Sequence, residues 1–261
     1  MLDFHNHLIP GVDDGVRDAD GVYEALTAMR QNGVTTLIAT PHFDGSLTHM
    51  PDRFAARMEK IDKGWETLAA IAAEKFPGLT VLRGAEVKLD TPDPDLSDDR
   101  LRLGGTPYAL VEFARFTVPP ESHRAVANLV ARGWKPIIAH PERYLGIREM
   151  IGITDRWLEH GALLQVNCGS LVGKYGSVAR DAALLLLKRG VVSFLASDFH
   201  GRSDPAIEAC RSYLRSINCD VQAELLLDVN PSRILENASP EPVPPIRPRL
   251  SAWERLKAVF R

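Results

Sequence analysis

Seven short apolar runs recur along the chain, each separated from the next by a longer, mostly amphipathic segment. No other feature restricts the fold as much. A strand that returns to lie parallel to its neighbour needs a crossover of a dozen or more residues, usually a helix. The expected strands are Leu2–Leu8, Thr36–Thr40, Thr80–Val87, Tyr108–Phe113, Pro136–His140, Leu163–Cys168 and Val191–Ser197. Helices are expected over about Asp18–Asn32, Pro51–Lys75, Glu121–Arg132, Ile147–His160, Val178–Arg189, Pro205–Ser216 and Val221–Leu227. Gly33, Gly133, Gly161 and Gly190 each follow a helical segment and precede an apolar run, as C-terminal caps do. The fold class that follows is α/β with parallel βαβ units. Seven strands suit a closed or nearly closed, TIM-like (β/α)7 barrel better than an open sheet. The Asp- and Pro-rich stretch between Glu86 and Tyr108 reads as an irregular crossover.

The barrel is expected to span residues 1–237. Ser239–Pro248 then places five prolines in ten residues, the composition of a stiff extended linker. Beyond it, Leu250, Trp253, Leu256 and Phe260 fall along one helical face. Between Ile246 and Arg261 the charged residues are Arg247, Arg249, Arg255, Lys257 and Arg261 against Glu254 alone. Two readings stay open: a terminal helix packed on the barrel, or a basic amphipathic tail that docks on an anionic membrane surface or a partner. The net charge of −3 does not favour nucleic acid as a partner. No run approaches the ~18 apolar residues of a membrane helix. The start Met1-Leu2-Asp3-Phe4-His5 lacks a secretory pattern, so a cytoplasmic location is expected. Cys168, Cys210 and Cys219 are odd in number and without metal-type spacing.

The chemistry is written at the strand ends. In His5-Asn6-His7, residues i and i+2 of an extended strand project to one face, and two imidazoles on one face make half a metal site. The turn Pro10-Gly11-Val12-Asp13-Asp14-Gly15 adds adjacent carboxylates. Later apolar runs end in Thr40-Pro41-His42, Ala85-Glu86-Val87, Val111-Glu112-Phe113, His140-Pro141-Glu142-Arg143 and Ser197-Asp198-Phe199-His200. The C-terminal ends of parallel barrel strands meet on one face, so these residues converge in space. Glu86 and Glu112 are flanked by apolar residues, and a buried unpaired carboxylate is too costly to keep without a cation.

These motifs resemble the PHP superfamily, named for polymerase and histidinol phosphatase, over about residues 1–237. Within it they are most similar to bacterial manganese-dependent protein tyrosine phosphatases of capsule and exopolysaccharide operons. The segment from Asp3 to Gly15, Thr40-Pro41-His42, Val111-Glu112-Phe113 and His140–Arg143 carry the likeness. The resemblance implies a barrel holding three divalent ions, with manganese expected and iron or zinc as alternatives. It implies one ion on His5, His7, Glu86 and Asp198. Glu86 would bridge to a second, held also by Glu112 and His140, and a third would sit on Asp14, His42 and His200. Phosphate would be gripped by Arg143. Arg202 stands near the position of a further family arginine, at a spacing that does not match securely. The implied reaction is hydrolysis of protein phosphotyrosine, with a bacterial tyrosine kinase as the expected partner. His42, His200 and Arg143 are expected to act in catalysis. Alternatives are a small-molecule phosphatase of the histidinol-phosphate type, a 3′–5′ exonuclease, and a non-catalytic metal-bound regulator that docks a kinase.

Other residues are expected to play supporting parts. His49, His123 and His160 read as surface or packing residues, Asp13 as a turn former, and Glu142 as a structural group orienting Arg143. Asn6 should face away from the site, and Asn167 should lend a hydrogen bond from behind it. A cysteine phosphatase is excluded: it needs C-x5-R, and six residues beyond the cysteines lie Lys174, Ser216 and Leu225.

Overall fold

The computed structural model describes residues 1–247. The expected tail helix, Leu250–Arg261, lies outside the described residues. The strands are β1 (Leu2–Asp3), β2 (Thr36–Ala39), β3 (His42–Asp44), β4 (Thr80–Arg83), β5 (Glu86–Lys88), β6 (Tyr108–Glu112), β7 (Lys135–Ala139), β8 (Leu163–Asn167) and β9 (Phe194–Ala196). The helices are α1 (Ala19–Gln31), α2 (Pro51–Lys75), α3 (Ser122–Ala131), α4 (Gly152–Glu159), α5 (Cys168–Leu171), α6 (Gly176–Arg189), α7 (Ile207–Ser216), α8 (Asp220–Glu224) and α9 (Asn230–Leu235). Their limits follow local chemistry. Asp18 caps α1 by accepting from the Gly21 N–H at 2.9 Å, and Pro51 opens α2 where its missing N–H costs nothing. Gly190 ends α6 at φ 69°, a left-handed conformation that glycine adopts without penalty.

All strand pairs are parallel, in two sheets: β1-β2-β4, and β3-β5-β6-β7-β8-β9. The expected fold is thus present as a parallel α/β architecture, but among the described residues no single ladder closes into a ring. One strand read as continuous is broken, and a short strand not expected from the sequence follows another. The expected strand Thr80–Val87 splits into β4 and β5 at Gly84-Ala85, and β2 stops at Ala39 before β3 resumes at His42. Pro41 has no N–H to give to a ladder, which explains the second break. The first strand is also shorter than expected, with only Leu2 and Asp3 in β1 and a lone bridge from Asn6 to Phe199 beyond it.

Two apolar clusters fill the interior. The larger packs helices on the outer strand faces. The smaller gathers Leu2, Phe4, Ile38, Leu110, Ile137, Ala139, Phe194 and Ala196 with Leu103 and Ile234. Phe4 and Phe194 meet edge to face at 5.3 Å. Most of these residues lie one or two positions before a polar strand end, so the apolar floor and the polar cluster occupy successive levels. Residues 238–247 run across the opposite, N-terminal strand ends. The Tyr108 hydroxyl donates to Ala238 O at 2.6 Å, Asn230 and Glu241 exchange bonds of 3.0 and 2.7 Å, and Ile246 N–H donates to Leu187 O at 3.1 Å. Among the described residues, no helix is long and apolar enough to cross a membrane.

Candidate metal centre

The site residues arrive from separate elements. His5 and His7 follow β1, on either side of the Asn6 bridge. His42 opens β3 and pairs in register with Glu86, which opens β5. Glu112 closes β6, His140 follows β7, and Asp198 and His200 follow β9. His140 and Asp198 hold positive φ, 34° and 51°, a region costly for residues with a Cβ and commonest where function requires it.

The side chains close on one point. His5 Nε2 lies 3.2 Å from Glu86 Oε1 and 3.4 Å from Asp198 Oδ1, while His7 Nε2 lies 3.4 and 3.5 Å from Glu86 Oε2 and Asp198 Oδ1. His42 Nδ1 is 2.9 Å from Glu86 Oε2 and 3.3 Å from Glu112 Oε1, and His140 Nε2 is 2.9 Å from Glu86 Oε1. His200 Nε2 is 3.4 Å from the more exposed Asp14. Four groupings have the compactness to hold an ion: His7-Asp14-His42-His200, His5-His140-Asp198, His5-His7-Glu86 and His42-Glu86-Glu112. All nine expected ligands are among them. The partition differs from that implied by resemblance, because His7 also faces Asp14 and His200, and His42 also faces Glu86 and Glu112.

Whether the cluster fits cations is tested by its unused lone pairs. His5 Nε2, His7 Nε2, His42 Nδ1 and Glu86 Oε2 are buried without a hydrogen-bond partner. Such orphans are costly, and four of them aimed at one centre fit divalent ions with mixed nitrogen and oxygen ligands. Electrostatics agrees. Burial opposes ionisation of Glu86, yet His5, His140 and His42 hold its carboxyl well below the ordinary range. Asp198 is depressed against the same opposition by His5 and His7. His42, opposed by burial, is pushed up to about 10 by Glu112 and Glu86, whereas burial and the neighbouring His7 lower His200. The cluster favours positive charge at its middle.

A second layer fixes the rings. His5 Nδ1 is 2.8 Å from Gln165 Oε1, Gln165 donates to Asn167 Oδ1 at 2.8 Å, and Asn167 donates to Asp198 Oδ2 at 2.7 Å. Asn167 thus takes the supporting place expected of it. Asp13 does more than form a turn: its Oδ2 lies 2.9 Å from His7 Nδ1 and accepts the His42 N–H at 3.0 Å. These contacts turn the other ring nitrogens inward. Asn6 faces away, donating to Asp3 and to Ile38 O. Glu142 does not orient Arg143; it accepts from Ser170 Oγ at 2.6 Å and Asn167 N–H at 2.9 Å. Sequence reasoning missed Gln165, although its alternation with Asn167 along β8 was a usable signal.

Arg143 reaches the cluster from its rim, donating to Asp198 Oδ2 at 2.6 Å. Its guanidinium lies between the rings of Phe116 and Tyr175, 4.6 and 4.4 Å from their centroids. A cavity of about 420 Å3 opens here, lined by Asp14, Arg143, Tyr175, Asp198, His200 and Arg202 among others. Arg202 is at the mouth, donating to Asp14 O at 2.8 Å. The remaining histidines stay away: His49 is exposed beside Asp93, and His123 stacks on His160 at 5.4 Å. All three cysteines are buried and free.

A parallel α/β frame with a cation-seeking histidine–carboxylate cluster at its C-terminal strand ends, beside an arginine-lined cavity, defines a metal-dependent hydrolase. The model of the capsular polysaccharide synthesis family CpsB/CapC matches residues 1–236, and the chain belongs to that family. It is 35% identical over 204 residues to the tyrosine-protein phosphatase YwqE of Bacillus subtilis (strain 168), covering 77% of each chain. It is 28% identical over 214 residues to the tyrosine-protein phosphatase CpsB of Streptococcus pneumoniae, covering 77% of this chain and 83% of that one. A crystal structure from work on YwqE of B. subtilis and CpsB of S. pneumoniae, described as unique metal-dependent tyrosine phosphatases, superposes with a TM-score of 0.74. The identity there is 26%, over 95% of this chain and 100% of that one.

Proposed function

We infer that this protein hydrolyses phosphotyrosine on proteins in a metal-dependent reaction. The observation that carries the reading is the set of buried, unpartnered nitrogen and oxygen atoms beside an arginine-lined cavity, in a chain whose relatives are tyrosine-protein phosphatases. His5, His7, Asp14, His42, Glu86, Glu112, His140, Asp198 and His200 are proposed to hold divalent ions. Three ions are proposed, since the four groupings overlap in His5, His7, His42 and Glu86, and manganese suits the thiolate-free ligands. Glu86, which faces His5, His42 and His140, would help to hold more than one of the ions. The frame is read as a distorted (β/α)7 barrel, because Asp198 N–H to His5 O and His7 N–H to Phe199 O, both 2.8 Å, join the first strand region to the last.

When bound, the ions would lower the pKa of coordinated water towards ~7 and neutralise phosphate charge. The chain does the rest by positioning. Arg143 spans two equatorial phosphate oxygens with a planar fork. Phe116 and Tyr175 hold that fork in plane, and Arg202 adds charge at the mouth. Burial pushes the Tyr175 phenol up to about 12, so it stays neutral and does not repel the phosphate. A phenolate, pKa ~10, leaves more easily than a serine alkoxide, so a protein acid is not required. The proposed physiological substrate is a phosphorylated tyrosine kinase of polysaccharide export, met in the cytoplasm.

The test is turnover of a phosphotyrosine peptide, histidinol phosphate and single-stranded DNA, with manganese and after chelation. Metal-dependent preference for the peptide is expected. Activity that survives thorough chelation, or a preference for histidinol phosphate, overturns the reading.

A further inference from the structure

Large apolar side chains left exposed among the described residues are nine in number, and four of them, Leu145, Met150, Tyr175 and Val178, belong to the segments that follow β7 and β8, the first of which carries Arg143. Leu145, two residues past Arg143, is 70% exposed, and Val178, in the first turn of α6, is 69% exposed. Tyr175 stacks on Arg143 itself. Such clustering on one side of a site marks a contact surface more often than chance does. Next to it is a second cavity of about 430 Å3, whose walls include Val118, Met150 and Ile153. It belongs to the same face, for Val118 follows β6 and Met150 follows β7. The two loops are tied together, since Leu145 N–H donates to Phe116 O at 2.9 Å. Val118 is two residues from Phe116, a reach of roughly 7 Å, and the Phe116 ring lies on Arg143. The distance from phosphate clamp to second cavity is thus that of a few residues of extended polypeptide.

We propose that this apolar rim and cavity bind the polypeptide that carries the phosphotyrosine, taking an apolar side chain two or three residues away from it. The proposal rests on the phosphatase reading and adds how a protein substrate is told from a small phosphate ester. A second copy of this chain is a poorer occupant. A stable dimer buries about 800 Å2 on each partner, more than four rim side chains supply. A lipid surface is disfavoured because the cavity wall carries both Glu149 and Arg156 and so offers no net positive charge to an anionic headgroup. A peptide side chain fits the volume and shares the mouth with the phosphate site.

The experiment uses the metal-loaded full chain and phosphotyrosine peptides with leucine placed singly at each of three positions on either side, against an all-glycine background. One placement is expected to raise kcat/KM about tenfold, the effect of burying part of one apolar side chain. Leu145→Asp with Met150→Asp should abolish that gain and leave free phosphotyrosine turnover unchanged. Equal kcat/KM for all peptides on the wild-type enzyme overturns the proposal, and needs no variant to fold. So does a double variant that keeps the leucine preference, or one whose main change is in oligomeric state by sedimentation. Failure to hydrolyse even free phosphotyrosine would instead sink the phosphatase reading itself.

Discussion

At the scale of single residues, Arg143 is held by what surrounds it and not by its own length. Two aromatic faces and one carboxylate oxygen fix the guanidinium plane. Lysine presents a point charge and cannot span two oxygens. Arg143→Lys is therefore expected to lower turnover by about 2–4 kcal/mol of barrier, the usual effect of losing one preorganised donor, while metal content by elemental analysis stays at the wild-type level. Wild-type kinetics in a fully metallated variant would remove Arg143 from the mechanism. Glu142 makes the opposite kind of prediction. Burial raises its carboxyl above the ordinary range. The folded state then favours the neutral acid, so this contribution to stability is complete below about pH 4.3 and is lost as pH rises through the folded value. Glu142→Gln is neutral throughout and should gain on the wild type as pH rises from 4 to 8, read from urea midpoints at fixed metal concentration. Parallel profiles would show that Glu142 carries no buried charge. Except for Asp14, which sits in a turn, the candidate ligands were legible because each stands at the end of an apolar run. Asp13 and Gln165 were not, since their roles depend on which ring nitrogen each faces, and spacing says nothing of that.

At the scale of elements, the helices were legible nearly to the residue where caps mark their ends, as in α1 and α2. The strands were legible in place but not in continuity. β3 was invisible because three residues after a proline carry no alternation long enough to read. The same breaks put His42, expected just past the end of one strand, and Glu86, expected near the end of another, at strand starts, where they pair in register. The turn carrying Asp13 and Asp14 is pinned by backbone contact. A Cβ on Gly15 would sit 2.1 Å from His7 O, and one on Gly64 of α2 would sit 2.9 Å from Pro10 O. Neither neighbour is a free side-chain end. Gly15→Ala must move His7 or the turn, so a loss of roughly 1–3 kcal/mol of stability is expected from overpacking, with metal affinity down about 10–100-fold. Calorimetry and metal titration check both. If Gly15→Ala binds metal normally, the turn has more freedom than its contacts allow.

At the scale of the whole molecule, the mouth and the chain's C-terminal approach lie on opposite faces. The proline-rich segment, expected as a linker, lies against the N-terminal strand ends, where Val243 and Ile246 are 8% and 2% exposed. Lys135, at the start of β7, donates to Asn237 O at 3.0 Å and helps hold it there. A truncation meant to test the basic tail should therefore begin at Pro248, leaving those buried contacts intact. Arg249, Arg255, Lys257 and Arg261 then go, with Glu254 the only acid lost. Each basic residue near an anionic surface is worth about 1 kcal/mol, so losing four should cut association with phosphatidylserine vesicles sharply, most of all at low salt, where attraction is least screened. Because the tail departs from the far face, hydrolysis of a small aryl phosphate should be the same with and without it, and the same on vesicles as in solution. Vesicle binding that survives the truncation would place the attraction elsewhere on the surface. Loss of small-substrate activity would mean that residues 248–261 belong to the folded core.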